Sequence, residues 1–296
     1  MIALRQREGA IDVLPTQGAL GAMLAAQIAA VEVVRSALVE VQRAAELVAL
    51  AFEAGHSVHY AAAGSSGLMA LADACELPGT FGVSQSQIKI HMAGGVPADG
   101  VMPGGTEDER DAAALSARDA CAGDVVIVVS ASGTTPYALG FAEAALARGA
   151  CVVGIANVPG TPLMEMADVP IVLETVAEVV EGSTRLGAGT AQKVALNMIS
   201  TQAGILMGHV HDGMMVNLAP ENIKLRKRAA DIVSRIANVP VDRAGQVLVH
   251  AGFDTKCAIL MAAGASSRES KALLQRHNGY LRECLEALSH LEKTND

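Results

Sequence analysis

Hydroxyl side chains gather at two points of this chain in the same setting. Ser130, Ser132, Thr134 and Thr135 surround Gly133 directly after the apolar run Val125–Val129. Ser65 and Ser66 stand between Gly64 and Gly67 directly after the apolar stretch that ends at Ala63. Each cluster precedes an Ala- and Leu-rich helical pattern. Hydroxyls beside the free N–H groups and positive dipole end of a helix suit an anion. No lysine lies in either turn, and the pattern G-x-x-x-x-G-K-[ST] occurs nowhere, so a small phosphate ester fits better than a nucleoside triphosphate. Ser, Thr and Gly are also the ordinary residues of turns. One such segment alone reads equally well as a plain connection; two copies of the arrangement favour a shared site.

Two glutamates could supply proton transfer. Glu76, in DACELPG, and Glu107, in GGTED, each follow a strand-like stretch and its glycine turn. A carboxylate there can face a cleft and act as a general acid or base. Read on the residues alone, the favoured reading of Glu76 is a surface carboxylate at a helix end, and of Glu107 a capping charge at a helix start. His209 and His211 form H-x-H, and His56 and His59 form H-x-x-H, without acidic or thiol partners at metal spacing. No metal is expected. The segment Glu181–Met207 adds two small-residue turns with Ser183, Arg185 and Lys193, again suited to anion contact. Its single G-x-G is too weak to imply a dinucleotide.

The elements that must hold these residues follow from periodicity. Short apolar runs at 57–63, 87–92, 125–129, 151–155 and 169–173 alternate with helical patterns of about a dozen residues. That order predicts an α/β fold, a doubly wound parallel sheet of five strands. Residues 18–55 predict a long N-terminal helical arm with a break near Ser36. Residues 231–296 predict a small helical C-terminal domain of three helical stretches, leaving 1–230 as the ligand-binding domain. The cluster Lys224, Arg226, Lys227 and Arg228 reads as a solvated helix face.

Composition narrows the function. Apolar residues make up 51% of the chain but aromatics only 2%, so the core is built from Ala, Val, Leu, Ile and Met. A net charge of −9 with so few rings to stack on bases argues against nucleic acid. The stretch Ala19–Val34 is interrupted by Gln27 and Glu32, so no membrane span is expected. The first 14 residues lack the uninterrupted apolar run of a secretory leader. The five cysteines are widely spaced, as in a reducing compartment. A cytoplasmic location is the expectation.

Six segments then resemble a known family, in order and in spacing. They are AAAGSSGLMALADACELPGTFG (61–82), MAGG (92–95), GGTED (104–108), SASGTTPY (130–137), EVVEGSTRLGAGTAQKVALNMIST (178–201) and ENIKLRKRA (221–229). Together they are similar to the N-acetylmuramic acid 6-phosphate etherases, of the sugar isomerase (SIS) fold superfamily. The resemblance implies a lyase that eliminates D-lactate from C3 of the opened sugar and adds water, leaving N-acetylglucosamine 6-phosphate. It implies Glu107 as the base at C2 and Glu76 as the acid to the departing oxygen. It points to Ser65, Ser66, Ser130, Ser132 and Thr135 for the phosphate, with Glu178 and Lys193 as further polar contacts to the substrate. It implies no cofactor, a role in amino-sugar and peptidoglycan recycling, and a homodimer with the site near the subunit interface. Leu68 and Thr134 stand where the family usually carries arginines. Within the same fold, an aldose–ketose isomerase of phosphosugars or a non-catalytic sugar-phosphate sensor are the rival expectations.

Overall fold

The computed structural model describes residues 10–295; residues 1–9, on which the reading of a leader peptide partly falls, lie outside them. In chain order the elements are α1 (Thr16–Glu32), α2 (Leu38–Glu53), β1 (Val58–Ala62), α3 (Gly64–Ala74), α4 (Leu77–Phe81), β2 (Ile88–Met92), α5 (Arg110–Ser116), β3 (Val125–Val129), α6 (Pro136–Ala147), β4 (Cys151–Ala156), α7 (Pro162–Met166), β5 (Val169–Val172), α8 (Gly187–Leu206), β6 (Val210–His211), β7 (Met214–Met215), α9 (Ile223–Ala237), α10 (Val241–His250), α11 (Thr255–Ala262), α12 (Ser267–Arg276) and α13 (Leu281–Asn295). They fall into two compact units. The first comprises Met1–Leu47 (described from Ala10), His56–Ala74 and Ile88–Ile199; the second comprises Val48–Gly55, Cys75–Gln87 and Ser200–Asp296.

The first unit is the sheet. Its five strands are all parallel, in the order β2-β1-β3-β4-β5. The chain runs from β1 outward to β2, then returns across β1 to β3 and continues the other way. The reversal lies between β1 and β3, and in open sheets that crevice is where ligands bind. Every residue of β3 is buried, as its unbroken Val/Ile run predicts for a strand covered on both faces. One face packs Ala61, Val126, Val128 and Val152 against Ala138, Phe141, Ala142 and Ala145 of α6. Small side chains let this helix approach the sheet closely, which is what a core almost without aromatics requires.

Two polar rings also lie on that face, His59 buried and His91 half-buried. His59 Nδ1 lies 3.0 Å from His91 Nε2, and His59 Nε2 lies 3.3 Å from Asp124 Oδ2. Burial lowers His59, and burial together with the neighbouring ring pushes His91 down to about 4. A histidine near 6.5 in the unfolded chain and near 4 in the folded one leaves the folded state fully stable above pH 6.5. That stability is lost as pH falls toward 4, because only the unfolded chain takes up the proton. By pH 5 the His91 contribution is about 2 kcal/mol. We expect His91→Gln to remove about that much of the stability lost between pH 7 and 5, read from urea midpoints at the two pH values.

The N-terminal arm breaks where the sequence predicts, in a 3-10 turn over Val33–Ala37. Its inner face is buried through Ala30, Val34, Ala37, Val41, Ala44 and Ala45. Gln27 accepts a hydrogen bond of 2.5 Å from Thr190 Oγ1, which ties the arm to α8. The run Thr16–Glu53 is nonetheless one helix long and apolar enough, by length and composition, to cross a membrane. Length and composition alone give that result; Gln27 and Glu32 interrupt the run, and the 3-10 turn divides it. Its outward face carries Leu20, Leu24 and Ile28, each more than half exposed.

The second unit is helical, with the short antiparallel ribbon β6–β7. Its core joins Val216, Leu218, Ile232, Val233, Leu248, Ile259, Leu260 and Leu281. The boundary differs from the expected residue 230. The last turn of α8, the ribbon and the segment Cys75–Gln87 already belong to this unit. Asn217, for example, donates to Phe81 O at 2.8 Å. Four helices rather than three follow α9, because the chain also turns at Asn278 and Gly279, both at positive φ.

Candidate active site

The two hydroxyl turns stand side by side at the carboxyl ends of β1 and β3. Ala62 pairs with Val129 in register, so the turn beginning at Gly64 and the turn beginning at Ser130 leave adjacent strands at the same level. They flank the crevice where the strand order reverses. The α3 turn starts with Gly64 at φ +55°, a conformation natural to glycine. The first backbone bond into α3 is Gly67 N–H to Ala63 O, so the N–H groups of Gly64, Ser65 and Ser66 precede the helical ladder.

The β3 turn is held by its own hydroxyls. Ser130 is 3% exposed, lies 2.8 Å from Thr135 Oγ1, and accepts the Gly133 N–H at 3.1 Å. Ser132 Oγ accepts from Thr134 N–H at 3.2 Å and from Thr134 Oγ1 at 3.0 Å. With both lone pairs engaged, the Ser132 O–H is the donor in its long contacts with Ser130 Oγ at 3.4 Å and Thr135 Oγ1 at 3.5 Å, which a closer acceptor would replace. Thr134, which replaces an arginine of the resembled family, therefore orients Ser132. Leu68, at the other replaced position, is exposed. Gly133 sits at φ +67°, and the Thr161 side chain occupies the space a Cβ would need. Thr161 Oγ1 is buried there without a partner.

Glu107 comes to this crevice. A Cβ on Gly64 would lie 2.5 Å from Glu107 Oε1, so the carboxylate rests directly against the start of the serine turn. The sequence alternative, a helix cap, is not what it does. It lies in the 3-10 turn Gly105–Asp108, and Glu109 is the cap residue of α5. Its carboxylate makes no hydrogen bond or ion pair among the described residues. Glu76 is exposed at the residue before α4 and belongs to the second unit.

Glu178 has a role the sequence did not disclose. Its Oε2 accepts from Gly187 N–H and its Oε1 from Ala188 N–H, both at 2.9 Å, so it caps α8 with both oxygens. Removing a charged cap from a helix start costs about 1–2 kcal/mol. Glu178→Ala should lower Tm by a few degrees, with Glu178→Gln losing less. Were Glu178 a contact to the sugar, the same substitutions would instead raise KM at unchanged Tm.

Lys193 ends a polar chain that runs into the unit. Its Nζ donates to Asn197 Oδ1 at 2.9 Å, Asn197 Nδ2 donates to Asp73 Oδ1 at 2.7 Å, and Tyr60 O–H donates to Asp73 Oδ2 at 3.0 Å. Asp73 and Tyr60 are buried, and burial with the Asp73 charge holds the Tyr60 hydroxyl well above its usual range. Asp73 was not singled out from the sequence. A buried aspartate inside an Ala-rich helix is the signal that would have found it.

The arrangement matches known proteins over most of its length. The SIS domain profile covers residues 25–157. An N-acetylmuramic acid 6-phosphate etherase of Aeromonas hydrophila is 38% identical over 93% of this chain and 93% of its own. One from Deinococcus radiodurans is 35% identical over 93% of this chain and 91% of its own. The chain belongs to the N-acetylmuramic acid 6-phosphate etherase family. It is therefore an enzyme, a carbon–oxygen lyase. Among solved structures, a Bacteroides fragilis protein described as involved in capsule formation shares the fold, with a TM-score of 0.51 and 17% identity over 67% of this chain and 95% of that one.

Proposed function

We propose that this chain cleaves the D-lactyl ether of N-acetylmuramic acid 6-phosphate, with Glu107 as the base at C2. The observation that carries the assignment of the base is the Glu107 carboxylate against Gly64, beside the hydroxyls that suit a phosphate. With the sugar open as its aldehyde, the carbonyl acidifies the C2 proton. Glu107 takes that proton, the C3–O bond breaks, and Glu76 gives its proton to the lactate oxygen. Water then adds across the C2=C3 bond, its oxygen to C3, while a proton returns to C2. One water is consumed, and N-acetylglucosamine 6-phosphate and D-lactate leave.

Ser65, Ser66, Ser130, Ser132 and Thr135 hold the phosphate in this reading, helped by the N–H groups at the starts of α3 and α6. Lys193 reaches a substrate oxygen with the donors it does not give to Asn197. The protein works in the cytoplasm on sugars recovered from peptidoglycan. It works as a homodimer whose second copy covers Leu20, Leu24 and Ile28, an apolar stripe at helical spacing. The site then lies near the subunit interface.

The test is incubation with N-acetylmuramic acid 6-phosphate in heavy water. Release of D-lactate with one deuterium at C2 of the product is expected. Conversion of an aldose phosphate to a ketose without lactate would replace this reading by an isomerase. Binding without turnover would replace it by a sensor. Sedimentation showing only monomer at assay concentration would remove the shared-interface part.

A further inference from the structure

A cavity with apolar and polar walls lies entirely within the helical unit and takes no part in the reaction above. It encloses about 350 Å³, within the range of small-molecule sites. Phe52 and Met207 give it apolar wall, and Glu53, Ser84, His209 and Lys256 give it polar groups.

Lys256 is 6% exposed, and its Nζ donates to Gly279 O at 2.9 Å. That is its one hydrogen bond among the described residues, and it has no carboxylate at ion-pair distance among them. Asp254, whose charge acts on it, is turned to the helix start, where its Oδ1 accepts from Cys257 N–H at 2.9 Å. A buried ammonium with two unused donors and no counter-charge is costly, by several kcal/mol where nothing compensates. Burial lowers Lys256 to about 8, which still leaves most of it charged at pH 7.

His209 is the complement. Burial and the Lys256 charge push it down to about 4, so its ring is neutral, and the ring bonds the backbone of Phe81. Its Nδ1 is buried with no partner. A neutral imidazole that donates through one nitrogen accepts through the other. Nδ1 therefore calls for a donor such as a hydroxyl, as does the Glu53 carboxylate on the same wall. The cavity thus asks for a negative group at Lys256 and hydroxyls beyond it, in a body of several carbons.

We propose that this cavity is a second ligand site, taking a polyhydroxylated anion of the size of a sugar phosphate. The proposal does not depend on the identity of the reaction.

The test is calorimetric binding of glucose 6-phosphate to the full chain. Variants are Lys256→Gln, which keeps a donor for Gly279 O but loses the charge, and Ser84→Glu, which puts a negative charge on an exposed wall position. The double variant Ser130→Ala/Ser132→Ala isolates the cavity from the proposed active site. We expect binding to persist in the double variant and to fall at least tenfold when Lys256→Gln is added. Ser84→Glu should weaken the same event about fivefold while D-lactate release is unchanged. Ser84→Glu decides the matter if Lys256→Gln does not fold. Loss of all binding in the double variant, or binding there that ignores Ser84→Glu, overturns the site. Inorganic phosphate or D-lactate binding there as tightly as glucose 6-phosphate would overturn its polyol character. Failure of the etherase reading would show instead as absent lactate release with the cavity still occupied.

Discussion

Glu107→Gln is expected to abolish exchange of the C2 proton with solvent and, with it, lactate release, by about a thousandfold or more. Removing a positioned general base typically costs 10²–10⁴ in rate. The upper part of that range applies because Glu107 is the carboxylate shown to lie against the serine turn. Gln keeps the size and polarity of the side chain, so the loss reads out basicity and not packing. Glu76→Gln should differ in kind. An acid to the leaving oxygen acts after the proton has left C2, so exchange should continue while lactate release falls. Exchange at the normal rate in Glu107→Gln would place the base elsewhere. Gly64→Ala offers an independent check on position. Its Cβ would lie 2.5 Å from Glu107 Oε1 and demand a non-glycine φ of +55°, so exchange should slow even with the carboxylate intact.

Ser130→Ala combined with Ser132→Ala should raise KM a few hundredfold with a much smaller change in kcat. Hydrogen bonds to a charged group are worth about 1.5–3 kcal/mol each, and two are removed. Ser132 carries the larger share, because it is an exposed hydroxyl of the turn and Thr134 orients it, whereas Ser130 is 3% exposed. Ser130 contributes partly through Gly133, whose N–H it accepts. A phosphate-free substrate analogue provides the control. Its KM should be high in the parent enzyme and nearly unaffected by the double variant. A double variant with unchanged KM for the phosphorylated sugar would move the phosphate away from this turn.

Much of this was legible in order along the chain. Val125–Val129 announces a strand buried on both faces because nothing in it tolerates water. Gly64 and Gly133 announce turns because left-handed backbone is cheap only for glycine. The strand–turn–helix repeat placed two hydroxyl clusters at equivalent ends of two strands, and the six family segments named the chemistry. These signals are local, carried by side-chain type at fixed spacing, and a linear sequence preserves them.

The rest depended on which segments meet. No spacing relates Glu107 to Gly64, 43 residues earlier; the return of the chain past β2 brings that carboxylate to the turn. The family resemblance pointed to Glu178 as a polar contact to the substrate; in the fold both its oxygens accept from α8, at Gly187 and Ala188. Asp73, Asn197 and Lys193 form one chain across 120 residues of sequence. His209 and Lys256 showed no mutual pattern and share a cavity. Residue types thus determined the strands, the turns and the reagents available. Only packing decided which carboxylate faces the turn and which seals a helix, because a side chain's role is set by the neighbours that remove its water.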